Sequence, residues 1–114
     1  MKLSIIITAW KEEKTIGRCI RTILKDKPKD LDYELIIACP DDETFLKARE
    51  VMEELKEESN LVHVKDPGKG KPTGINLALD KAQGEIILLG DGDTYFGDRV
   101  IEKIIKHFEK SEVF

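Results

Sequence analysis

The chain has 114 residues, 40% hydrophobic and 37% charged, which is one domain with enough apolar material for its own core. Its net charge is −4 and no long run of like charge occurs, which excludes a nucleic-acid binder working through a basic surface. Two cysteines, Cys19 and Cys39, make neither a disulfide framework nor a zinc site, so a reducing, cytoplasmic setting is expected.

Met1 to Trp10 is apolar but short, and Lys11-Glu12-Glu13-Lys14 follows at once, so it reads as a buried strand and not a leader. No stretch reaches transmembrane length. Leu3 to Thr8, rich in β-branched residues, predicts a central first strand. Helical spacing then joins Ile16, Ile20, Ile23 and Leu24, with Thr15 available as a cap and Cys19 packing as a small hydrophobe. Pro28 within Asp26–Asp30 breaks that helix. Tyr33 to Cys39 predicts the second strand, and Pro40-Asp41-Asp42-Glu43 the loop after it, in which Asp42 is expected to cap the next helix. Phe45, Ala48, Met52 and Leu55 mark that helix, Ser59-Asn60 its end, and Leu61 to Val64 a short third strand.

The most irregular stretch, Lys65 to Pro72, leads into a third helix expected from Thr73 to about Ala82, with Pro72 suited to its first turn. Lys65 and Lys69 read as a solvated loop. Gln83-Gly84 stops the helix. Ile86 to Leu89 then runs without alternation, which predicts a fourth strand covered on both faces. It ends in Asp91-Gly92-Asp93. Positions two apart in extended backbone project the same way, so the two carboxylates are expected side by side, where they can hold a divalent cation. Taken alone, the tripeptide reads first as a polar turn. Asp98 is expected to cap a last helix with Val100, Ile101, Ile104, Ile105 and Phe108 on its apolar face. His63, on a strand away from the loops at the strands' carboxyl ends, and His107, on the last helix, are assigned no catalytic part.

Alternating strands and helices predict an α/β fold of Rossmann-like, doubly wound type: a mainly parallel four-stranded sheet with helices on both faces. Ligands of such sheets bind where strand order reverses, so the loops after strands one, two and four are expected to converge there.

At compatible spacings, four blocks carry a resemblance that spans nearly the whole chain: Ser4 to Glu13, Tyr33 to Ile37 with its acidic loop, Gly70-Lys71-Pro72-Thr73-Gly74-Ile75-Asn76-Leu77-Ala78-Leu79, and Gly84 to Ile87 running into Asp91-Gly92-Asp93. Together they resemble the N-terminal donor-binding half of GT-A glycosyltransferases, specifically the large inverting group called family 2. The resemblance implies that Thr8, Ala9 and Trp10 line a nucleobase pocket, with the Trp10 ring against the base. Glu12 or Glu13 either closes that pocket or is solvated. The family's base-reading aspartate is replaced here by Cys39 and Pro40, and Asp41 is the nearest substitute. Lys71 is implied at the diphosphate, Asn76 as a brace for the neighbouring loop, Asp91 at the ribose or metal, and Asp93 at the metal. The implied cofactor is Mn²⁺ or Mg²⁺ and the implied ligand a UDP- or GDP-sugar.

An inverting transfer also needs a carboxylate base, and no residue after Asp93 is recognisable as one. The 1–114 stretch is therefore expected to be a single nucleotide-sugar-binding domain, part of a longer GT-A domain or a minimal one. The alternative is a non-catalytic module that binds a nucleotide or a partner. A nucleotidyltransferase is disfavoured because its glycine-rich first loop is absent. Ser111 to Phe114 reads as the start of another strand, and Ile104, Ile105, Phe108 and Phe114 as an incompletely covered face favouring homo-oligomers.

Overall fold

The computed structural model describes residues 2–110, with β1 (Leu3–Thr8), α1 (Ile16–Leu24), β2 (Tyr33–Ala38), α2 (Asp42–Glu54), β3 (Leu61–Val64), α3 (Lys71–Lys81), β4 (Ile86–Asp91) and α4 (Val100–Lys110). The strands form one parallel sheet in the order β3-β2-β1-β4. The chain steps outward from β1 to β3 and then crosses back to β4, so strand order reverses between β1 and β4. The expectations for Ser111 to Phe114 lie outside the described residues.

Side-chain alternation divides the core in two. Leu3, Ile5 and Ile7 of β1, with Leu35 and Ile37 of β2, pack against Ile16, Ile20 and Ile23 of α1, Ala48 and Met52 of α2, and Ile101 of α4. Ile6, Ile36 and Ala38 point to the other face, where they meet Val64 of β3 and Ala78 of α3. Each fully buried isoleucine contributes about 1.5–3 kcal/mol relative to exposure, so the doubly covered β1 and β2 anchor the molecule.

The buried polar side chains of Ser4 and Glu34 are paired. Ser4 Oγ and the Gln83 amide both donate to Glu34 Oε2 at 2.6 Å, and the Gly84 amide donates to Ser4 Oγ at 2.8 Å. A Cβ at Gly84 would stand 2.5 Å from Ser4 Oγ and 2.6 Å from Ser4 N, so this close approach to β1 requires glycine.

Three local expectations change. β4 is covered on one face only: Ile86 and Leu88 join the helical core, whereas Ile87 is 39% and Leu89 50% exposed, because α3 packs over β1, β2 and β3. Thr15 flanks α1 but its hydroxyl donates to the Glu12 carbonyl at 3.4 Å and caps nothing. Asp98 pairs with Lys25 at 3.0 Å, and Arg99, at φ 57°, stands between it and α4. Ile104 and Ile105 are partly buried against the core, and Phe108 is 37% exposed.

Candidate functional site

The carboxyl ends of the strands surround a cleft of about 310 Å³, lined by Thr8, Ala9 and Trp10 after β1, Ala38 and Pro40 after β2, and Asp91 at the end of β4, with Glu12 beside them. The rest of its wall is Asp66, Gly68, Gly70 and Lys71, from the loop between β3 and α3. The convergence expected of three loops thus includes a fourth. Its volume is in the range of small-molecule sites.

The β1–β4 pairing sets Thr8 opposite Asp91, and Thr8 Oγ1 donates to Asp91 Oδ1 at 3.1 Å. Lys71, the first residue of α3, forms an ion pair with the same carboxylate. Lys71 holds the Asp91 carboxyl below the usual carboxylate range, with help from Thr8 and against partial burial. The amino end of α3 carries no side-chain cap, since its flanking residue is Gly70 at φ 106°. Gly70 and Lys71 border the cleft, so the positive end of the helix dipole lies at its wall.

Asp93 lies beyond the strand. The ladder stops at Asp91, and the Thr94 amide donates to the Asp91 carbonyl at 3.0 Å, closing a turn around Gly92 and Asp93. The alternation argument therefore does not reach Asp93, which is exposed on the turn. Gly92 is buried, and a Cβ there would stand 2.1 Å from Glu12 Oε2 and 2.8 Å from Ala9 Cβ. Glu12 Oε2 is buried without a hydrogen-bond partner. Burial raises the Glu12 pKa, followed by the negative charges of Asp93, Asp91 and Asp41, with Lys71 opposing. Of the two glutamates open at this position, Glu12 lines the cleft and Glu13 does not.

Trp10 is 63% exposed at the cleft, with the Lys11 ammonium 4.9 Å from its ring centroid, so it is no core aromatic. Ala9 is buried beside it. Asn76 is exposed on α3. Lys65 pairs with Asp42 at 3.1 Å, which fastens its loop to α2.

Asp41 takes the part expected of Asp42. It is the cap of α2: with extended backbone (φ −104°, ψ 140°), its carboxylate accepts from the Thr44 amide at 3.2 Å and the Thr44 hydroxyl at 2.6 Å. Asp42 is already helical and cannot take that part. Asp41 also accepts from the Lys11 amide at 3.2 Å, tying the β1 loop to α2, and it does not line the cleft. Burial pushes its carboxyl up, but the hydrogen bonds from Thr44 and Lys11 outweigh it and hold the pKa low. The spacing Asp41-x-x-Thr44 was the sequence signal for this cap.

His63 is nearer the site than its strand suggested: its ring stacks on Phe45 at 4.0 Å, and Nε2 lies 3.2 Å from the Cys39 carbonyl and 3.4 Å from Cys39 Sγ. Burial pushes the Cys39 and Cys19 thiols up to about 12, so neither is a ready nucleophile. Among the described residues, no group of three or more His, Cys, Asp or Glu forms a ready metal cage. No helix among them is long and apolar enough to cross a membrane.

Sheet order and cleft define a Rossmann-like domain of the GT-A type, and solved structures agree. A mannosyltransferase from Pyrobaculum calidifontis, in complex with GDP-Man and Mn²⁺, superposes with a TM-score of 0.80 at 23% identity, covering 96% of this chain and 32% of that one. Residues 1–349 of Staphylococcus aureus TarS, in complex with UDP-GlcNAc, give 0.72 at 26% identity, covering 96% and 32%. The Glycosyl transferase family 2 model matches residues 4–113, and the chain belongs to that family. A poly(ribitol-phosphate) beta-glucosyltransferase of Bacillus spizizenii is 31% identical over 106 residues, which are 89% of this chain and 16% of the relative. S. aureus TarS is a poly(ribitol-phosphate) beta-N-acetylglucosaminyltransferase, 26% identical over 104 residues, 90% of this chain and 18% of its own length. The chain thus spans under a fifth of the length of these relatives.

Proposed function

We propose that the cleft binds the nucleoside diphosphate portion of a UDP- or GDP-sugar, as the donor site for inverting transfer of the sugar to an acceptor. The observation that carries this reading is the Lys71–Asp91 pair at the point where strand order reverses, set in one cleft with Thr8, Ala9, Trp10 and Glu12. An entering diphosphate meets an ammonium and the uncapped amino end of α3, both suited to anions. Trp10 offers an exposed ring for stacking on a base. The ligands of the P. calidifontis and TarS complexes support the same ligand class.

The residues also fit a divalent cation. Asp91 and Asp93 offer hard oxygens, and the unpartnered Glu12 Oε2 adds negative potential beside Gly92. Magnesium is commonly held by one or two carboxylates plus substrate phosphates, so a ready cage is not required. Bound there, the cation supplies neutralisation of charge on the departing nucleoside diphosphate. The Lys71 ammonium and the hydrogen bond from Thr8 favour the ionised form of Asp91. The two buried free cysteines suit a cytoplasmic setting.

One observation favours the second reading, a module that binds without turnover, for these residues by themselves. Past Asp93, the acidic side chains described are Asp98, paired with Lys25, and Glu102, paired with Lys106 at 2.9 Å. Inversion needs a carboxylate free to take the acceptor's proton. Calorimetric titration with GDP and UDP, with and without Mn²⁺, tests the donor site, and hydrolysis or transfer of donor sugar separates enzyme from module. Metal-dependent nucleotide binding without detectable turnover is expected of the 114-residue chain. If no nucleoside diphosphate binds, the donor site is wrong; if the chain alone turns over donor, the module reading is wrong.

A further inference from the structure

Asp41, the nearest substitute for a base-reading aspartate, is committed to capping α2 and lies outside the cleft wall. A different carboxylate faces the same space. Asp66, in the loop after β3, is 8% exposed and lines the cleft. Its Oδ1 accepts from the Gly68 amide at 2.8 Å, which fixes the plane of the carboxylate. Its Oδ2 accepts no hydrogen bond from the described residues and lies 3.1 Å from where a Cβ of Gly74 would stand. A carboxylate oxygen that borders the cleft and has no protein donor is free to accept a hydrogen bond from a ligand.

Its position favours the base over the diphosphate. Asp66 follows β3, at the opposite edge of the sheet from Asp91 on β4. Neighbouring strands lie about 4.8 Å apart, so the two strands are roughly 14 Å apart. The loop of Asp66 packs on the β2 end, where a Cβ at Gly68 would stand 3.7 Å from Pro40 Cβ. With the diphosphate at Lys71 and Asp91, the nucleoside extends toward Pro40 and Asp66.

We infer that Asp66 is the residue that selects the nucleobase, and that it selects guanine. The inference rests on the cleft's being a nucleotide site. An ionised carboxylate only accepts hydrogen bonds, so it selects an edge rich in donors. Guanine presents N1–H and the 2-amino group side by side. Uracil presents one N–H between two carbonyl oxygens, which a carboxylate repels. Adenine and cytosine present an unprotonated ring nitrogen beside their amino group, a poorer match. The expected order is GDP, then UDP, then CDP and ADP. Because charged hydrogen bonds in buried sites are strong, GDP should bind about tenfold tighter than CDP.

The test is calorimetric titration of the protein with GDP, IDP, UDP and CDP in the presence of Mn²⁺. Wild type is expected to bind GDP several-fold tighter than IDP, which lacks the 2-amino group, and about tenfold tighter than CDP. In Asp66→Asn, the amide oxygen still accepts from Gly68 while the other position becomes a donor, so the GDP-to-CDP ratio should fall to near unity. A merely structural Asp66 would weaken all bases alike and leave the ratio unmoved. Asp41→Asn, which keeps a capping oxygen, should also leave it unmoved. Equal binding of all four ligands by wild type overturns the inference, as does a ratio that follows Asp41 and not Asp66. If no nucleoside diphosphate binds, the donor site falls as well; if they bind without base preference, only this inference does.

Discussion

Asp41 shows how much a single carboxylate can hold. It caps α2 and tethers the β1 loop through the Lys11 amide, so its loss reaches two elements. Asp41→Ala should cost about 1 kcal/mol of stability, measurable by urea denaturation. Because its folded pKa is depressed, its contribution is fully present above the unfolded value of about 3.9. It is lost as pH falls through the lower folded value. Asp41→Asn should therefore flatten the melting curve's acid dependence below about pH 4; an unchanged acid limb would contradict this account. Residue types near the site were legible from sequence, but the parts of Asp41, Asp42 and Asp66 were not. They depend on backbone angles and on which oxygen is already engaged. Asp66-Pro67-Gly68 carries the turn signal, yet nothing in it reveals a buried side chain.

At the scale of elements, strands and helices follow closely from apolar periodicity, and the boundaries moved by a residue or two. α3 begins at Lys71, so the lysine expected near its amino end is its first residue. β4 is the instructive departure. An unbroken apolar run reports what a strand is able to bury, and α3, packed over the other three strands, leaves Ile87 and Leu89 bare. The β2–α3 side of the sheet depends on Glu34, the shared acceptor of Ser4 and Gln83. Glu34→Ala strands both donors in a buried place and should destabilise the fold by about 1–3 kcal/mol with an unchanged denaturant slope. A loss below a few tenths would mean that water replaces the carboxylate there.

For the whole molecule, the uncovered face bears on association. Self-contact was expected through the last helix, but Ile104 and Ile105 are partly buried, and Leu89 is more exposed than Phe108. Any self-association at high concentration should accordingly be weakened by Leu89→Lys in sedimentation velocity, and an equal effect of Phe108→Lys alone would return the contact to α4. The sheet's reversal point was legible because it needs only strand order, whereas the share of the β3–α3 loop in the cleft needed coordinates.

Underlying all of this is one electrostatic proposition: acidic groups on adjoining turns at the sheet's rim recruit a cation together with the ligand's phosphates. The most direct measurement is the affinity for GDP with and without Mn²⁺, in wild type and in Asp93→Ala. Mn²⁺ is expected to tighten binding in wild type, and the substitution to abolish this gain while metal-free affinity stays near its original value. A gain that survives in Asp93→Ala, or never appears in wild type, would contradict the proposition.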